Sequence, residues 1–137
     1  MLDVSEYIGI PYLVGGRGPH LDCWGLVRLV YRQRLGVDLP SMNGYQETLN
    51  EQTSSLIEGG KCDWSPTDHP QPYDVVLFNI SGMVNHIGLV IASGWMLHTT
   101  HGANSRREQY TRPLWKTRIE GFYRHDHYRC AAKPPVD

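Results

Sequence analysis

The 137-residue chain has no long apolar run, few cysteines and no dense cluster of like charges. No segment offers the roughly 20 consecutive apolar residues of a membrane-spanning helix, so we expect no membrane segment. The N-terminus lacks a basic stretch followed by an apolar core, so we expect no secretory signal. A hydrophobic content of 40% with 20% charged residues argues against disorder and predicts one modest core.

Cysteine is scarce, with only Cys23, Cys62 and Cys130. None belongs to a C-x-x-C pair, which excludes a zinc ribbon and a thioredoxin-type redox motif. The odd count leaves at least one free thiol, and the pairing of Cys62 with Cys130 stays open.

The net charge of −1 hides an uneven distribution, with acidic residues in excess up to residue 100 and basic residues in excess after it. The arginines of the basic part are dispersed among acidic residues rather than clustered. We therefore expect a solvated face or a surface that docks a protein, and no direct nucleic-acid binding.

The order of predicted elements indicates an α+β fold. A glycine-rich turn precedes a helix over about residues 22–35, with Asp22 as N-cap and Gly36 as the stop signal. A second helix is predicted over 43–58. Four strands follow, at 74–79, 86–92, 95–100 and 119–124. Because βαβ alternation is missing, we expect a mostly antiparallel sheet in one domain, residues 1–128, with a disordered tail at 129–137.

Cys23 carries the clearest chemical signal, because it falls in the first turn of the predicted helix. Free N–H groups and the positive end of the helix dipole favour a thiolate there. We therefore expect a thiol pKa lowered from about 8.5 by roughly one unit or more. A cysteine nucleophile needs a partner that exchanges a proton near neutral pH, which is the property of histidine.

Two histidines in neighbouring predicted strands are candidates for that partner, His86 and His98. A tight hairpin about residues 93–94 would place His98 opposite Leu89, so a bulge or a slanted register is needed for the rings to meet. His101 competes with His98. A metal site at His98 and His101 is not expected, because residues three apart on a strand face opposite sides and no carboxylate or thiolate lies nearby.

Several ordered motifs over about residues 5–124 resemble the NlpC/P60 family, the papain-like cysteine peptidases of the bacterial cell wall. The motifs are Tyr7–Tyr12 with Gly15-Gly16, Asp22–Val27, Asp74–Phe78, His86–Ile91, Leu97-His98 and Gly121–Arg124. The resemblance implies a papain-like fold with the cysteine at a helix start packed on the sheet. It also implies that Cys23 is the nucleophile, His86 the general base and His98 the residue that orients His86.

The same resemblance implies cleavage of peptide bonds in peptidoglycan stem peptides without a metal or other cofactor. The Cys23 backbone N–H and the Tyr12 hydroxyl are the candidate oxyanion donors. Asp22 is a candidate ligand for a cationic or amide group of the stem peptide. The alternatives stay open: Asp22 serves only as the helix cap, and Tyr12 only packs.

The chain departs from the usual family pattern at Trp24, where a small residue, commonly serine, follows the cysteine, and at Tyr73, where glycine is usual. With Arg28, Tyr31 and the segment 35–40, Trp24 resembles the branch found in tailed phages. That branch implies a virion tail-tip location, other tail-tip proteins as partners, and opening of the murein layer for DNA to pass. The Trp24 indole is expected to shape a substrate subsite.

Two other functions remain in view. One is a structural tail-tip assembly protein that keeps the peptidase fold, and the other is a thiol acyltransferase or amidase that uses the same cysteine.

Overall fold

The computed structural model describes residues 1–14, 16, 18–39 and 64–126. The helix predicted over 43–58, the cysteines Cys62 and Cys130, and the tail predicted at 129–137 lie outside these residues. The assignment of residues 1–128 to one domain therefore stays a prediction.

The N-terminal part contains a 3-10 turn at Ser5–Tyr7 and helix α1 at Cys23–Val30. The Asp22 carboxylate accepts a hydrogen bond of 2.7 Å from the Gly25 backbone N–H, which confirms the predicted N-cap. A π-helical turn, Tyr31–Leu35, continues α1. Gly36 ends it in the left-handed region, at φ 67°, which confirms the predicted stop. None of the helices in the described part of the chain is long and apolar enough to span a membrane.

From residue 64 to residue 126, the described chain forms a six-stranded antiparallel sheet, in the order β1-β6-β2-β3-β4-β5. Its strands are β1 (Trp64–Pro66), β2 (Val75–Ile80), β3 (Met83–Ala92), β4 (Trp95–His98), β5 (Arg106–Gln109) and β6 (Ile119–His125). A short helix, α2 (Pro113–Lys116), precedes β6. The α+β class and the four predicted strands are confirmed, with shifted ends. The sequence did not predict β1, β5 and α2, because β1 contains a proline, β5 consists of charged and polar residues, and α2 is only four residues long.

Apolar side chains cover both faces of this sheet. Helix α1 packs over β3 and β4, where its buried residues join strand residues such as Ile87 and Leu97 in the main core. A smaller cluster contains Phe78, Met96 and Trp115. The alternation of side chains along β3 explains how adjacent residues of one strand serve two different clusters.

Two glycines let the turn before α1 approach the helix closely. A Cβ added at Gly25 would collide with the carbonyl oxygen of Gly16 and lie 3.1 Å from the Asp22 carboxylate. A Cβ at Gly16 would in turn collide with the carbonyl oxygen of His20. The glycine-rich turn is therefore required by backbone packing at the start of α1.

We expect Gly25→Ala to lower the free energy of unfolding by about 1–2 kcal/mol. Overpacking against a backbone oxygen costs about 1–3 kcal/mol, and the better helix propensity of alanine offsets up to about 1 kcal/mol. Urea unfolding measures the change. Arg32→Ala, at an exposed position of the π-helical turn, is the control and is expected to change stability by less than about 0.5 kcal/mol. Equal stability of the two variants would contradict the packing argument.

Candidate active site

An open cleft of about 260 Å³ lies where the start of α1 meets the sheet. Its lining residues are Tyr12, Cys23, Ile80, Asn85, His86, Thr99, Thr100 and His101. The cleft therefore brings together two residues that the sequence proposed as nucleophile and base. They are 63 positions apart in the chain, and the packing of α1 over β3 joins them.

Cys23 is the first residue of α1, and its side chain is nearly buried, with 9% of the residue exposed. Burial and the neighbouring Asp22 carboxylate raise the pKa of the Cys23 thiol to about 12. Backbone N–H groups of Ile87, Trp24 and Cys23 itself lower the pKa, but by less than burial raises it. The expected lowering of the thiol pKa by the helix start is therefore wrong for the resting cleft, because desolvation of the charged form dominates.

The rings of His86 and His98 form a direct hydrogen bond, with 2.8 Å between His86 Nε2 and His98 Nδ1. The hairpin register shifts between Val90 and Ala92, which is the irregularity that the sequence argument required. His98 follows Leu97, the partner of Leu89, so the two imidazoles meet diagonally across the strands. His98, rather than His101, is the histidine that contacts His86.

A carboxylate completes this line of polar groups. His98 Nε2 lies 2.7 Å from Oε1 of Glu108 on the neighbouring strand β5. Arg106 Nε lies 3.3 Å from the same oxygen. Burial raises the pKa of the Glu108 carboxyl, but the neighbouring Trp115, His98 and Arg106 together outweigh burial and lower it. Sequence reasoning missed Glu108, because its position depends on the pairing of β5 with β4 after a seven-residue connection.

Trp115 of α2 covers both imidazoles. Its indole stacks on the His86 ring at a centroid distance of 5.3 Å and meets the His98 ring edge-on at 5.0 Å. The indole N–H lies beside Glu108 and lowers the pKa of that carboxyl, although it forms no hydrogen bond of standard geometry. Trp115 is thus part of the wall that limits the access of water to the two rings.

Both histidines are neutral in this environment. Burial, the neighbouring His98 and the Arg106 cation lower the pKa of His86 to about 3. Burial lowers the pKa of His98 to about 4, although the hydrogen bond to Glu108 acts in the opposite direction. With a thiol pKa of about 12, the resting cleft at neutral pH holds a neutral thiol and a neutral imidazole.

Tyr12 lines the cleft near the thiol and is half-buried. Burial, Cys23 and Asp22 raise the pKa of the Tyr12 hydroxyl to about 12, so it remains a hydrogen-bond donor at neutral pH. Its ring meets the exposed His101 ring edge-on at 5.7 Å. Tyr12 therefore lines the same cleft as Cys23, and its role as an oxyanion donor stays a prediction.

The other two predicted binding residues lie deeper. Asp22 is 1% exposed, and its carboxylate caps α1, so contact with substrate stays a prediction. Trp24 is fully buried in the main core and does not line the cleft. We therefore assign Trp24 to the packing of α1 and not to a substrate subsite. No group of three or more metal-ligating side chains is arranged around a cation position within the described ranges.

The model of the NlpC/P60 family matches residues 9–124, which is most of the chain and includes the cleft residues. This chain belongs to the NlpC/P60 family. The family model also spans all the strands of the sheet except the last residue of β6. The resemblance read from the sequence motifs is thereby confirmed.

Two relatives and one solved structure are examples of the proteins to which this NlpC/P60 domain is similar. It is 30% identical to the tail tip assembly protein K of Escherichia phage lambda, over 94% of this chain and 67% of that protein. It is 25% identical to the gamma-DL-glutamyl hydrolase of Bacillus subtilis, over 98% of this chain and 30% of that protein. The peptidoglycan hydrolase RipB of Mycobacterium tuberculosis shares its fold, with a TM-score of 0.59 at 18% identity, over 89% of this chain and 60% of that one.

The chain spans about a third to two thirds of the length of these relatives. The match therefore identifies the NlpC/P60 domain and its fold. Within that domain, the cleft combines a thiol, an imidazole that can take a proton, and a phenol that can donate a hydrogen bond. These groups can support acyl transfer through a thioester.

Proposed function

We propose that this NlpC/P60 domain is a cysteine endopeptidase that hydrolyses peptide bonds in peptidoglycan stem peptides at a phage tail tip. The observation that carries the proposal is the cleft shared by Cys23 and His86, with His98 hydrogen-bonded to Nε2 of His86. A nucleophile, a base and a third group that orients the base are the parts of a catalytic triad.

The first half of the proposed reaction makes a thioester. The Cys23 sulfur attacks the peptide carbonyl carbon while the thiol proton passes to Nδ1 of His86, because His98 occupies Nε2. The neutral resting pair favours proton transfer that accompanies attack over a preformed ion pair. The carbonyl oxygen becomes an oxyanion, for which we propose the Cys23 backbone N–H and the Tyr12 hydroxyl as donors. The C–N bond then breaks, and His86 gives its proton to the leaving amine.

The second half returns the enzyme to its starting state. Water attacks the thioester carbonyl and gives a proton to His86, and the C–S bond breaks to release the new carboxyl group. The Cys23 sulfur leaves as a thiolate and takes the proton back from His86. Apart from the substrate and the attacking water, the side chains in these steps are those of the cleft residues Cys23, His86 and Tyr12.

The substrate and the location rest on the relatives. The names of RipB and of the phage lambda protein point to peptidoglycan and to the tail tip. We propose that the protein acts with other tail-tip proteins to open the cell wall so that phage DNA can enter. A cleft open to solvent is compatible with a cross-linked polymer as substrate.

Mass spectrometry of purified peptidoglycan fragments tests this proposal. We expect the wild-type protein to produce fragments with a new free amine and a new carboxyl group, and Cys23→Ala to produce none. The Cys23→Ala domain should keep its circular dichroism spectrum, since the change removes one sulfur from a helix N-terminus. Cleavage by Cys23→Ala at the wild-type rate would contradict thiol catalysis. Ammonia release or acyl transfer instead of peptide hydrolysis would favour an amidase or acyltransferase.

A structural assembly role is the second candidate, and the name of the phage lambda relative favours it. The exposed Arg107 on the edge strand β5 is a suitable point of contact with a partner. Under this alternative, Arg107→Glu would reduce the yield of complete particles, whereas Cys23→Ala particles would assemble normally and infect normally. Particles with Cys23→Ala that assemble but fail to infect would instead support the peptidase.

A further inference from the structure

Glu108 is the outer end of a chain of hydrogen bonds that leads to the thiol cleft. The line runs from Glu108 Oε1 to His98 Nε2 at 2.7 Å, and from His98 Nδ1 to His86 Nε2 at 2.8 Å. His98 has no exposed side-chain area, whereas 26% of the Glu108 side chain is exposed. Glu108 therefore closes the outer end of a line whose other members are buried.

The chemistry of a carboxylate sets the direction of this line. An ionised carboxylate only accepts hydrogen bonds, so His98 Nε2 must carry a proton and donate a hydrogen bond to Glu108. A neutral imidazole has one N–H, so His98 Nδ1 is then an acceptor. His86 Nε2 must donate to it, which leaves His86 Nδ1 without a proton. A deprotonated Nδ1 is the form that can accept the thiol proton of Cys23.

The opposite direction would disable the base. Without an acceptor at its Nε2, His98 is free to carry its proton on Nδ1 and donate a hydrogen bond to His86 Nε2. His86 would then hold its proton on Nδ1 and accept at Nε2, so neither ring nitrogen would have a free lone pair for the thiol proton. The contact between two neutral histidines does not by itself favour either direction of the hydrogen bond. A third group is needed to fix the direction.

The surroundings of Glu108 keep it ionised and in place. Arg106 lies 3.3 Å away, and its guanidinium also donates to the Thr100 hydroxyl and to the Asn104 carbonyl, which anchors it. The Trp115 indole lies over the two imidazoles and beside the carboxylate. Trp115 is only 5% exposed, so it limits competition from water for the hydrogen bonds of the line.

We propose that Glu108 is a positioning residue that fixes the tautomers of His98 and His86, so that Nδ1 of His86, the nitrogen that His98 does not engage, is unprotonated and available to take the Cys23 proton. This inference deepens the proposed peptidase function and rests on it for its catalytic meaning. The tautomers themselves are a property of the resting protein and are measurable without a substrate.

Long-range ¹H–¹⁵N NMR of the histidine rings at pH 7 tests the proposal in the intact chain. We expect wild-type His98 and His86 both to be protonated on Nε2. In Glu108→Ala, we expect His86 to shift partly or fully to the Nδ1–H tautomer, and Glu108→Asp to restore part of the wild-type pattern. Wild-type His86 protonated on Nδ1, or wild-type tautomers that persist in Glu108→Ala, would overturn the proposal.

Peptidoglycan cleavage gives the matching functional readout. We expect Glu108→Ala to lower kcat about 10- to 100-fold with little change in KM, the loss associated with one hydrogen bond to a charged group. Glu120→Ala is the matched control, because Glu120 accepts one hydrogen bond, of 2.8 Å, from Tyr123 on the distant strand β6. Unchanged kcat in Glu108→Ala would overturn the positioning role.

The two proposals fail in different ways. If the wild-type protein cleaves nothing while its tautomers depend on Glu108, the peptidase function fails and the tautomer assignment stands. If the wild-type protein cleaves peptidoglycan while Glu108→Ala changes neither tautomers nor kcat, the function stands and the role of Glu108 fails.

Discussion

We expect His86→Gln to reduce peptidoglycan cleavage by about ten thousandfold or more. Loss of the general base in a nucleophile–base unit costs nearly as much as loss of the nucleophile, since each is ineffective without the other. The cost is large here because burial holds the pKa of the Cys23 thiol at about 12, so almost no thiolate forms without a base. Initial rates on purified stem-peptide fragments measure the effect.

Glutamine is the replacement that best separates the basicity of His86 from its packing and hydrogen bonding. Its amide N–H can still donate to His98 Nδ1, and its length fills part of the space between Phe78 and Trp115 that the imidazole occupies. The amide cannot take a proton near neutral pH, so the change isolates basicity from packing. His69→Gln, on an exposed loop, is the control and should cleave at the wild-type rate. A His86→Gln rate within tenfold of wild type would contradict the assignment of His86 as base.

The reactivity of Cys23 is expected to depend steeply on pH. Because the thiol pKa is raised to about 12 and the His86 pKa is lowered to about 3, both groups are neutral between these values. The thiolate fraction then rises about tenfold per pH unit, so alkylation by iodoacetamide should speed up about a hundredfold from pH 7 to pH 9. Peptide-level mass spectrometry follows Cys23 separately from the other two cysteines.

The charged and titratable groups around the thiol supply the control. Asp22 raises the Cys23 pKa, whereas the phenol of Tyr12 and the ring of His86 are neutral over this pH range. Asp22→Asn removes the charge and keeps a side chain that caps helices well. We expect it to accelerate alkylation a few-fold at each pH without changing the slope. Fast alkylation that is independent of pH from 5 to 9 would indicate a preformed thiolate–imidazolium pair and contradict the neutral cleft.

The parts of the fold with strong local signals were predictable. The Asp22 cap, the Gly36 stop and the four apolar strands depend on neighbours in the sequence, and the structure contains them all. Strands β1 and β5 were missed because β1 contains Pro66 and β5 consists of charged and polar residues, so neither shows an apolar strand pattern, and their pairing with β6 and β4 forms only in the folded chain. Local sequence patterns carry little information about such segments.

The candidate site, like the fold, has parts that local sequence predicted and parts that it did not. The sequence by itself determined the candidates, a cysteine at a helix start and histidines on neighbouring strands, because these depend on residue type and local periodicity. The tertiary structure decided what local reasoning leaves open or answers wrongly. In the folded protein, burial raises the pKa of Cys23, and Trp24 lies in the core. His98, rather than His101, is hydrogen-bonded to His86, and Glu108 and Trp115 lie beside the two rings. Desolvation and strand pairing depend on residues far apart in the chain, and only the folded structure specifies them.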